Sequence, residues 1–379
     1  MINRLFKNNI FISLVLSIFF IGCSQKVEKI PNISDANLQK VKWDDIKGFE
    51  KDNLDLAFKV FEKDCVSSKR FKNLKNICGL TTNSKDSKEF FKTNFIPYKL
   101  ISDENKDTGL ITGYYEPLLY GSLTKTDRYR YPIYSVPKDL LTIDLSEVYP
   151  ELKKYRLRGK IVNNKIVPYD TREDIEKTNS KHLKPICFVD NKIDLFFLQI
   201  QGSGKVKLEN GEVLNIGYAQ QNGRKYYPIG RKLIELGVIS KKDMSLQAIR
   251  EWLDKNLEKI DEILNLNKSY VFFTKSDKSA TGSLGTQLVA NRNLAVDRSF
   301  IPLGFPVFIN TTNPIDKIEI NQLMIAADTG GAIKGDIRAD FFFGNGDTAE
   351  ELAGKMKQEG KLYILIPNNL QNIDSINKD

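Results

Sequence analysis

Apolar positions along this chain fall mostly in short runs of four to eight, many of them rich in β-branched and aromatic residues. Such runs predict strands at Gly109 to Tyr120, Lys192 to Lys207, Tyr270 to Phe273, Arg298 to Asn310, Asn321 to Asp328, Ala339 to Phe343 and Lys361 to Ile366. Helical spacing is rarer. From Trp43 to Leu80 the pattern with Leu54, Phe58, Val60 and Phe61 predicts two or three helices. Pro228 to Leu236 opens on a proline and is followed by Gly237, and Ser245 to about Leu264 places Leu246, Ile249, Trp252 and Leu253 on one face. A last helix is capped by Asp347 or Thr348, has Glu350 or Glu351 three residues on, and is stopped by Gly360. Strands outnumber helices and do not alternate with them. The pattern therefore predicts a mainly β fold, barrels with added helices, rather than a doubly wound parallel sheet.

The first residues differ from all of this. Arg4 and Lys7 precede an apolar run from Ile10 to Ile21 that ends at Gly22-Cys23. A span of that length is too short for a bilayer crossing, which takes about 20 residues, but suits the core of a secretory signal. Residues 1–22 read as a lipoprotein signal peptide, with Cys23 the lipidated residue and 23–44 a tether; an ordinary signal peptide whose cut happens to include a cysteine is the alternative. Losing Arg4 and Lys7 lowers the formal charge from +9 to +7. That is a mild bias toward anionic neighbours. No basic cluster is interleaved with aromatics, so nucleic acid is not an expected partner.

Cysteine and histidine narrow the chemistry. Cys65 and Cys78 are 13 apart in what would be an oxidising compartment and are candidates for a bridge, while Cys187 lies in an apolar run. No CxxC and no Cys/His cluster is present, so no metal or other cofactor is expected. The one histidine, His182, sits in a polar stretch. Ser-His-Asp and Cys-His arrangements are thereby set aside, and acid–base work falls to carboxylates, tyrosine or lysine.

Three segments are candidates for that work. In Ala326 to Gly344 an apolar strand delivers Asp328, glycines turn the backbone, and a second strand opens at Asp340 between Ala339 and Phe341. Apolar neighbours and a nearby anion keep a carboxylic acid protonated, whereas Lys334 and Arg338 oppose this. Asp340 is the expected acid; two aspartates that only cap a glycine turn are the alternative. Gly113-Tyr114-Tyr115-Glu116-Pro117 sets aromatics beside a carboxylate, which suits sugar stacking but equally an ordinary core strand. Gln199-Ile200-Gln201-Gly202-Ser203-Gly204 offers amide and hydroxyl groups where glycines admit a polymer close to the backbone, or a bulged strand end.

These segments carry a resemblance. Together with Asn222-Gly223, Tyr227-Pro228-Ile229-Gly230, Met244 to Arg250 and Asp297 to Gly304, they resemble, in order over roughly residues 45 to 370, the membrane-bound lytic murein transglycosylase A family of peptidoglycan-cleaving lipoproteins. The resemblance implies a double-psi β-barrel built from residues 45–120 and 267–370, a second β-barrel inserted as residues 121–266, and glycan bound in the groove between them. It implies Asp340 as catalytic acid and Asp328 as the acid that positions or tunes it. It also implies a 1,6-anhydro ring-closing cleavage between N-acetylmuramic acid and N-acetylglucosamine, with peptidoglycan strands as the expected partner and wall-synthesis proteins as further candidates, on a lipid-anchored protein of the outer membrane facing the periplasm. Tyr115, Glu116, Gln201, Gly202, Ser203 and Lys334 are the expected substrate contacts, with Tyr115 a stacking platform. Some members carry Thr where Glu116 stands, and the turn between the acids is one residue longer here than in some. A hydrolytic β-glycosidase using Asp328 or Glu116 on water, and a non-catalytic expansin-like wall-binding protein, are the alternatives.

Overall fold

The computed structural model describes residues 37–67, 74–178 and 181–368. The signal peptide and Cys23 lie outside the described residues. The chain starts with β1 (Asn37–Lys40), then three helices, α1 (Leu54–Ser67), α2 (Lys75–Thr81) and α3 (Ser87–Asn94), and two longer strands, β2 (Phe95–Ile101) and β3 (Gly109–Glu116). A middle section follows with β4 (Leu118–Ser122), β5 (Tyr131–Tyr134), β6 (Leu141–Thr142), β7 (Arg158–Val162), β8 (Lys165–Pro168), α4 (Arg172–Lys177) and β9 (Pro185–Val189). It continues through α5 (Lys192–Gln201), β10 (Ser203–Leu208), β11 (Val213–Gln221), α6 (Ile229–Glu235), α7 (Leu246–Lys255), α8 (Ile260–Asn265) and β12 (Val271–Ser276). The last section holds β13 (Asn293–Val296), β14 (Pro306–Thr312), β15 (Glu319–Asp328), β16 (Arg338–Asn345), α9 (Asp347–Lys355) and β17 (Lys357–Pro367).

Two closed β structures result. In the first, strands run in the order β17-β14-β15-β13-β16-β3 and β3 returns to pair with β17, which closes a six-stranded ring. The β13–β15 and β16–β3 pairings are parallel within this otherwise antiparallel ring. This is a double-psi β-barrel. Closure depends on the length of β17, whose first half pairs with β3 and whose second half pairs with β2, while its middle pairs with β14. The core is a continuous cluster that includes Leu294, Val307, Phe308, Ile325, Phe341 and Ile364, each at most 1% exposed. Helices α1 and α3 extend it through Phe61, Phe90 and Phe91, whose rings meet one another and Phe95 of β2 edge-on or tilted. The second sheet, β12-β11-β10-β4-β9-β5, is closed by a bridge from Ser135, just after β5, to Phe273 of β12. A small sheet, β6-β7-β8, is added to it.

Several expectations need correction. Lys192 to Gln201 is a helix, not a strand: Asn191 caps its first turn and Gly202, at φ 81°, stops it in the left-handed conformation that glycine adopts without strain. Its Ile193, Leu195, Phe196, Phe197 and Leu198 are all buried, so the hydrophobic run has no polar face to reveal the helical period. The helix after Asp347 ends at Lys355, and Gly360 lies inside β17, where a Cβ would come within 2.5 Å of Ile111 and 2.9 Å of the Asn310 carbonyl. The segment from Ser245 to Leu264 is two helices broken at Asn256, and the strand expected from Arg298 begins at Pro306. Residues 37–40, expected in the tether, pair with β2. Sheet membership changes at Pro117 rather than at Gly121, and β12, expected in the first barrel, belongs to the second. Cys65 and Cys78 are disulfide-bonded, and Cys187 is free and buried.

Candidate active site

The two acids meet across a four-residue strand that the sequence pattern did not reveal. Ala295 of β13 lies opposite Asp340 of β16 on one side and opposite Asp328 of β15 on the other. Neighbouring strands are about 4.8 Å apart, so the two aspartate backbones lie roughly 10 Å apart with only a methyl group between them. The β13–β15 ladder slips one residue between Leu294 and Ala295. That slip brings Asp328 rather than Ala327 opposite Ala295, and a slip of one residue exchanges the face that a side chain occupies.

Each carboxyl has its own set of donors. The Thr112 hydroxyl on β3, in register with Asp340, donates to Asp340 Oδ1, and Arg338 Nη2 donates to the Thr112 oxygen at 2.7 Å. Arginine can only donate, so the Thr112 proton is directed to the carboxylate. Asp328 Oδ1 accepts three hydrogen bonds: from the Ser283 backbone N–H at 2.9 Å, from the Ser283 hydroxyl at 2.8 Å and from the Thr329 N–H at 2.8 Å. Burial pushes both carboxyls above the usual carboxylate range; Arg338 and Thr112 oppose this at Asp340, and the Ser283 and Thr329 donors oppose it at Asp328. Tyr114, two residues beyond Thr112 on the same strand face, is buried, and its ring lies 5.0 Å from Phe342. Burial and the two carboxylates push the Tyr114 phenol well up. Its hydroxyl is close enough to Asp328 to respond to its charge but makes no well-formed hydrogen bond.

A third aspartate, Asp297, follows β13 by one residue and is 5% exposed. It accepts from the Ser299 and Gly335 N–H groups at 3.1 and 3.2 Å and so holds the glycine turn between the acids. Lys334 extends from that turn into solvent, its Nζ 3.6 Å from Asp297 Oδ1. Arg338 opposes the shift of Asp340 as the sequence suggested, but Thr112 and Ser283 were not singled out; the register of β3 against β16 is what joins Thr112, more than 220 positions away, to Asp340.

The remaining expected contacts are placed differently. Tyr115 points to the opposite side of β3 from Tyr114 and is 3% exposed, so its ring offers no platform to a sugar. Gln201 Oε1 accepts the Tyr115 N–H at 3.2 Å, Gly202 is the cap of α5, and Ser203 opens β10 opposite Gly217. Glu116 is 2% exposed and fully engaged: it accepts from the Ser279 hydroxyl and the Ala280 N–H, each at 2.7 Å, and lies 3.3 Å from Lys205 Nζ. It is in no position to activate a water.

A closed double-psi barrel with a second barrel inserted in its chain, and two half-buried carboxyls flanking Ala295 on its wall, defines a class of two-barrel protein. Comparison with known proteins makes the assignment specific. Residues 110–274 match the MltA specific insert domain and residues 292–366 match the 3D domain. The chain is 31% identical to a membrane-bound lytic murein transglycosylase from Agrobacterium tumefaciens, with a TM-score of 0.77 over 87% of this chain and 97% of that one. It resembles MltA from Neisseria gonorrhoeae at 29% identity and a TM-score of 0.76, covering 91% and 98% of the two chains. Against membrane-bound lytic murein transglycosylase A of Escherichia coli K12 it is 32% identical over 263 residues, 67% of this chain. That match spans 64% of the length of the curated relative. The chain belongs to the membrane-bound lytic murein transglycosylase A family.

Proposed function

We propose that this protein cleaves the glycan strands of peptidoglycan as a lytic transglycosylase, with Asp340 as acid and then base. The observation that carries the reading is the half-buried Asp340 carboxyl, held above its ordinary range near a second acid and supplied with a directed donor, Thr112. Asp340 donates its proton to the oxygen that bridges N-acetylmuramic acid and N-acetylglucosamine, and that bond breaks toward the oxygen. The resulting carboxylate, stabilised by Thr112 and through it by Arg338, takes the proton of the same muramyl residue's C6 hydroxyl as that oxygen closes on C1. No water is consumed. An intramolecular attack avoids the entropy of recruiting a second reactant. Asp328, with its three donors on one oxygen, stays the anion that faces positive charge developing on the sugar.

A crystal structure of the E. coli relative holds chitohexaose, a β-1,4 glycan, at a TM-score of 0.66 to this fold. By analogy the strand lies between the two barrels, with Lys334 and Ser203 at its edges. Attachment by lipid at Cys23, in the outer membrane and facing the periplasm, completes the proposal; no helix among the described residues is long and apolar enough to cross a membrane. Hydrolysis by a second carboxylate is the weaker reading, because Glu116 is spent on Ser279 and Ala280. The test is digestion of purified sacculi by the soluble form beginning at Ser24, followed by mass spectrometry. Ring closure adds no mass per cut and leaves no reducing end. Products heavier by one water would overturn the transglycosylase reading, and retention on sacculi with no soluble product would favour a wall-binding protein. Asp340→Asn is expected to keep the fold and lose at least the 10² to 10⁴ that general acid catalysis contributes.

A further inference from the structure

The chain passes between the barrels twice, at Pro117 between β3 and β4 and after β12. Both crossings are fastened at one point. Glu116, the last residue of β3, accepts from Ser279 and Ala280 just beyond β12, and the Pro117 carbonyl accepts the Lys205 N–H at 2.8 Å. Two links that coincide leave a rotation about themselves; a contact away from that point is needed to fix the angle between the barrels. The structure has one, built on Arg250 of α7. Its guanidinium lies 5.5 Å from the Phe197 ring, donates through Nη1 to Asp194 of α5, and reaches Glu350 of α9 through Nη2 at 3.4 Å. One turn earlier Gln247 Nε2 donates to the Glu350 carbonyl at 2.9 Å, and a Cβ on Gly354 would meet Gln247 at 2.2 Å, so α7 and α9 are in close contact. Leu246 packs against the cores of both units.

We propose that Arg250 is a positioning residue that fixes the inserted barrel relative to the acid-bearing barrel, and so sets how a long glycan strand is held across both. Glu350 also acts on the Tyr115 phenol, and the Tyr115 N–H is bound by Gln201 at the end of α5. Arg250 thus governs, through Asp194 at one end of α5 and Glu350 at the other barrel, where the Gln201–Ser203 corner stands with respect to β3. The planar fork is required: a guanidinium grips two carboxylates on different helices at once, and an ammonium on a lysine stem does not. The inference rests on the proposed function for its kinetic consequence but not for its geometric one.

The experiment uses the full mature chain with Arg250→Met, Arg250→Lys and Glu350→Gln, each checked for an unchanged circular dichroism spectrum. Kinetics on long glycan strands are expected to show KM raised about tenfold, the size of effect reached by residues that couple two sites, with kcat nearly unchanged. Arg250→Lys should not rescue, and combining Arg250→Met with Glu350→Gln should add little to either alone. Spin labels on Ile161→Cys in the inserted unit and Ile315→Cys in the barrel, both exposed positions, report the angle directly: a narrow distance distribution that broadens in Arg250→Met is expected. An unchanged distribution overturns the proposal whatever the activity. Loss of kcat at constant KM overturns it also, while a wild type without anhydro products defeats the proposed function and leaves the label measurement to decide for Arg250.

Discussion

Asp328 and Asp340 carry the same functional group on the two strands that flank β13, and their donors separate them. Three hydrogen bonds converge on one oxygen of Asp328, each to a charged acceptor and worth about 1.5 to 3 kcal/mol. Asp340 has a single side-chain donor, Thr112. Asp328 is the better anion and Asp340 the better proton holder. Because the Asp340 carboxyl is raised in the folded protein, the acid form persists to higher pH, and activity that needs it is lost as pH rises through that value. Thr112→Val removes the donor that favours the anion. It is therefore expected to move the basic limb of the pH–rate profile upward and to slow the base half of the reaction about tenfold, the equivalent of one such bond. A pH profile of kcat for Thr112→Val that overlays the wild type would remove Thr112 from the mechanism. The upward shift of Asp340 was legible in the sequence from its apolar flanks. Its partner was not, because Thr112 and Asp340 are joined only by sheet register, which no local pattern encodes.

Helix α1 shows a different buried acid. Asp64 is fully buried, with neither carboxylate oxygen in a well-formed hydrogen bond; Thr286, on the loop that delivers Ser283 to Asp328, is its near neighbour, and Lys63 Nζ donates to Gln287 O on the same loop at 2.7 Å. Burial pushes the Asp64 carboxyl up from 3.8 to about 6, with Thr286 and Lys63 opposing. A group raised in the folded state leaves the protein most stable below the unfolded value and costs stability as pH rises toward the folded one, here from about 4 to about 6; the full cost is about 3 kcal/mol. Asp64→Asn should therefore raise the melting temperature at pH 7.5 and have little effect at pH 4, as read by thermal denaturation at both. Equal shifts at the two pH values would show that the gain is not electrostatic. Elements with a polar face, such as α7, were legible from spacing. Elements whose middle is buried all round, such as α5 from Leu195 to Gln199, were not, and Asn191 and Gly202 at its ends are what distinguish it from a strand. Strand β13 was too short to register as a run.

At the scale of the molecule, stability should peak in mildly acid solution. Ion-paired carboxylates such as Asp107, between Lys361 and Lys99, are held below their ordinary range, so what they contribute is lost as pH falls. Asp64, Asp328 and Asp340 are held above it, so stability is lost as pH rises through the range between their ordinary and folded values. A melting temperature that climbs from pH 3 to about 5 and declines beyond it is the expected curve, and Asp340→Asn should flatten its alkaline side. A plateau from pH 5 to 8 in the wild type would contradict the upward shift of the three acids. The two-unit plan was legible from residues spread over the chain, but its boundaries were not, since Pro117 and Ser276 mark a change of sheet partner rather than a change of composition.

Strand β17 pairs with β3, β14 and β2, and it comes last. A polypeptide emerging in order from its N-terminus therefore has the middle unit complete while the acids still stand on an open sheet. Residues 109–116 must wait for residues 357–367, nearly 250 positions later, before the ring is joined. Without residues 357–367, β3 and β14 lack the strand that joins them, and the ladder that holds Thr112 against Asp340 lies at an open edge. Among the described strands, joining the ring is thus one of the two steps that need the most distant residues to meet, the pairing of β17 with β2 being the other.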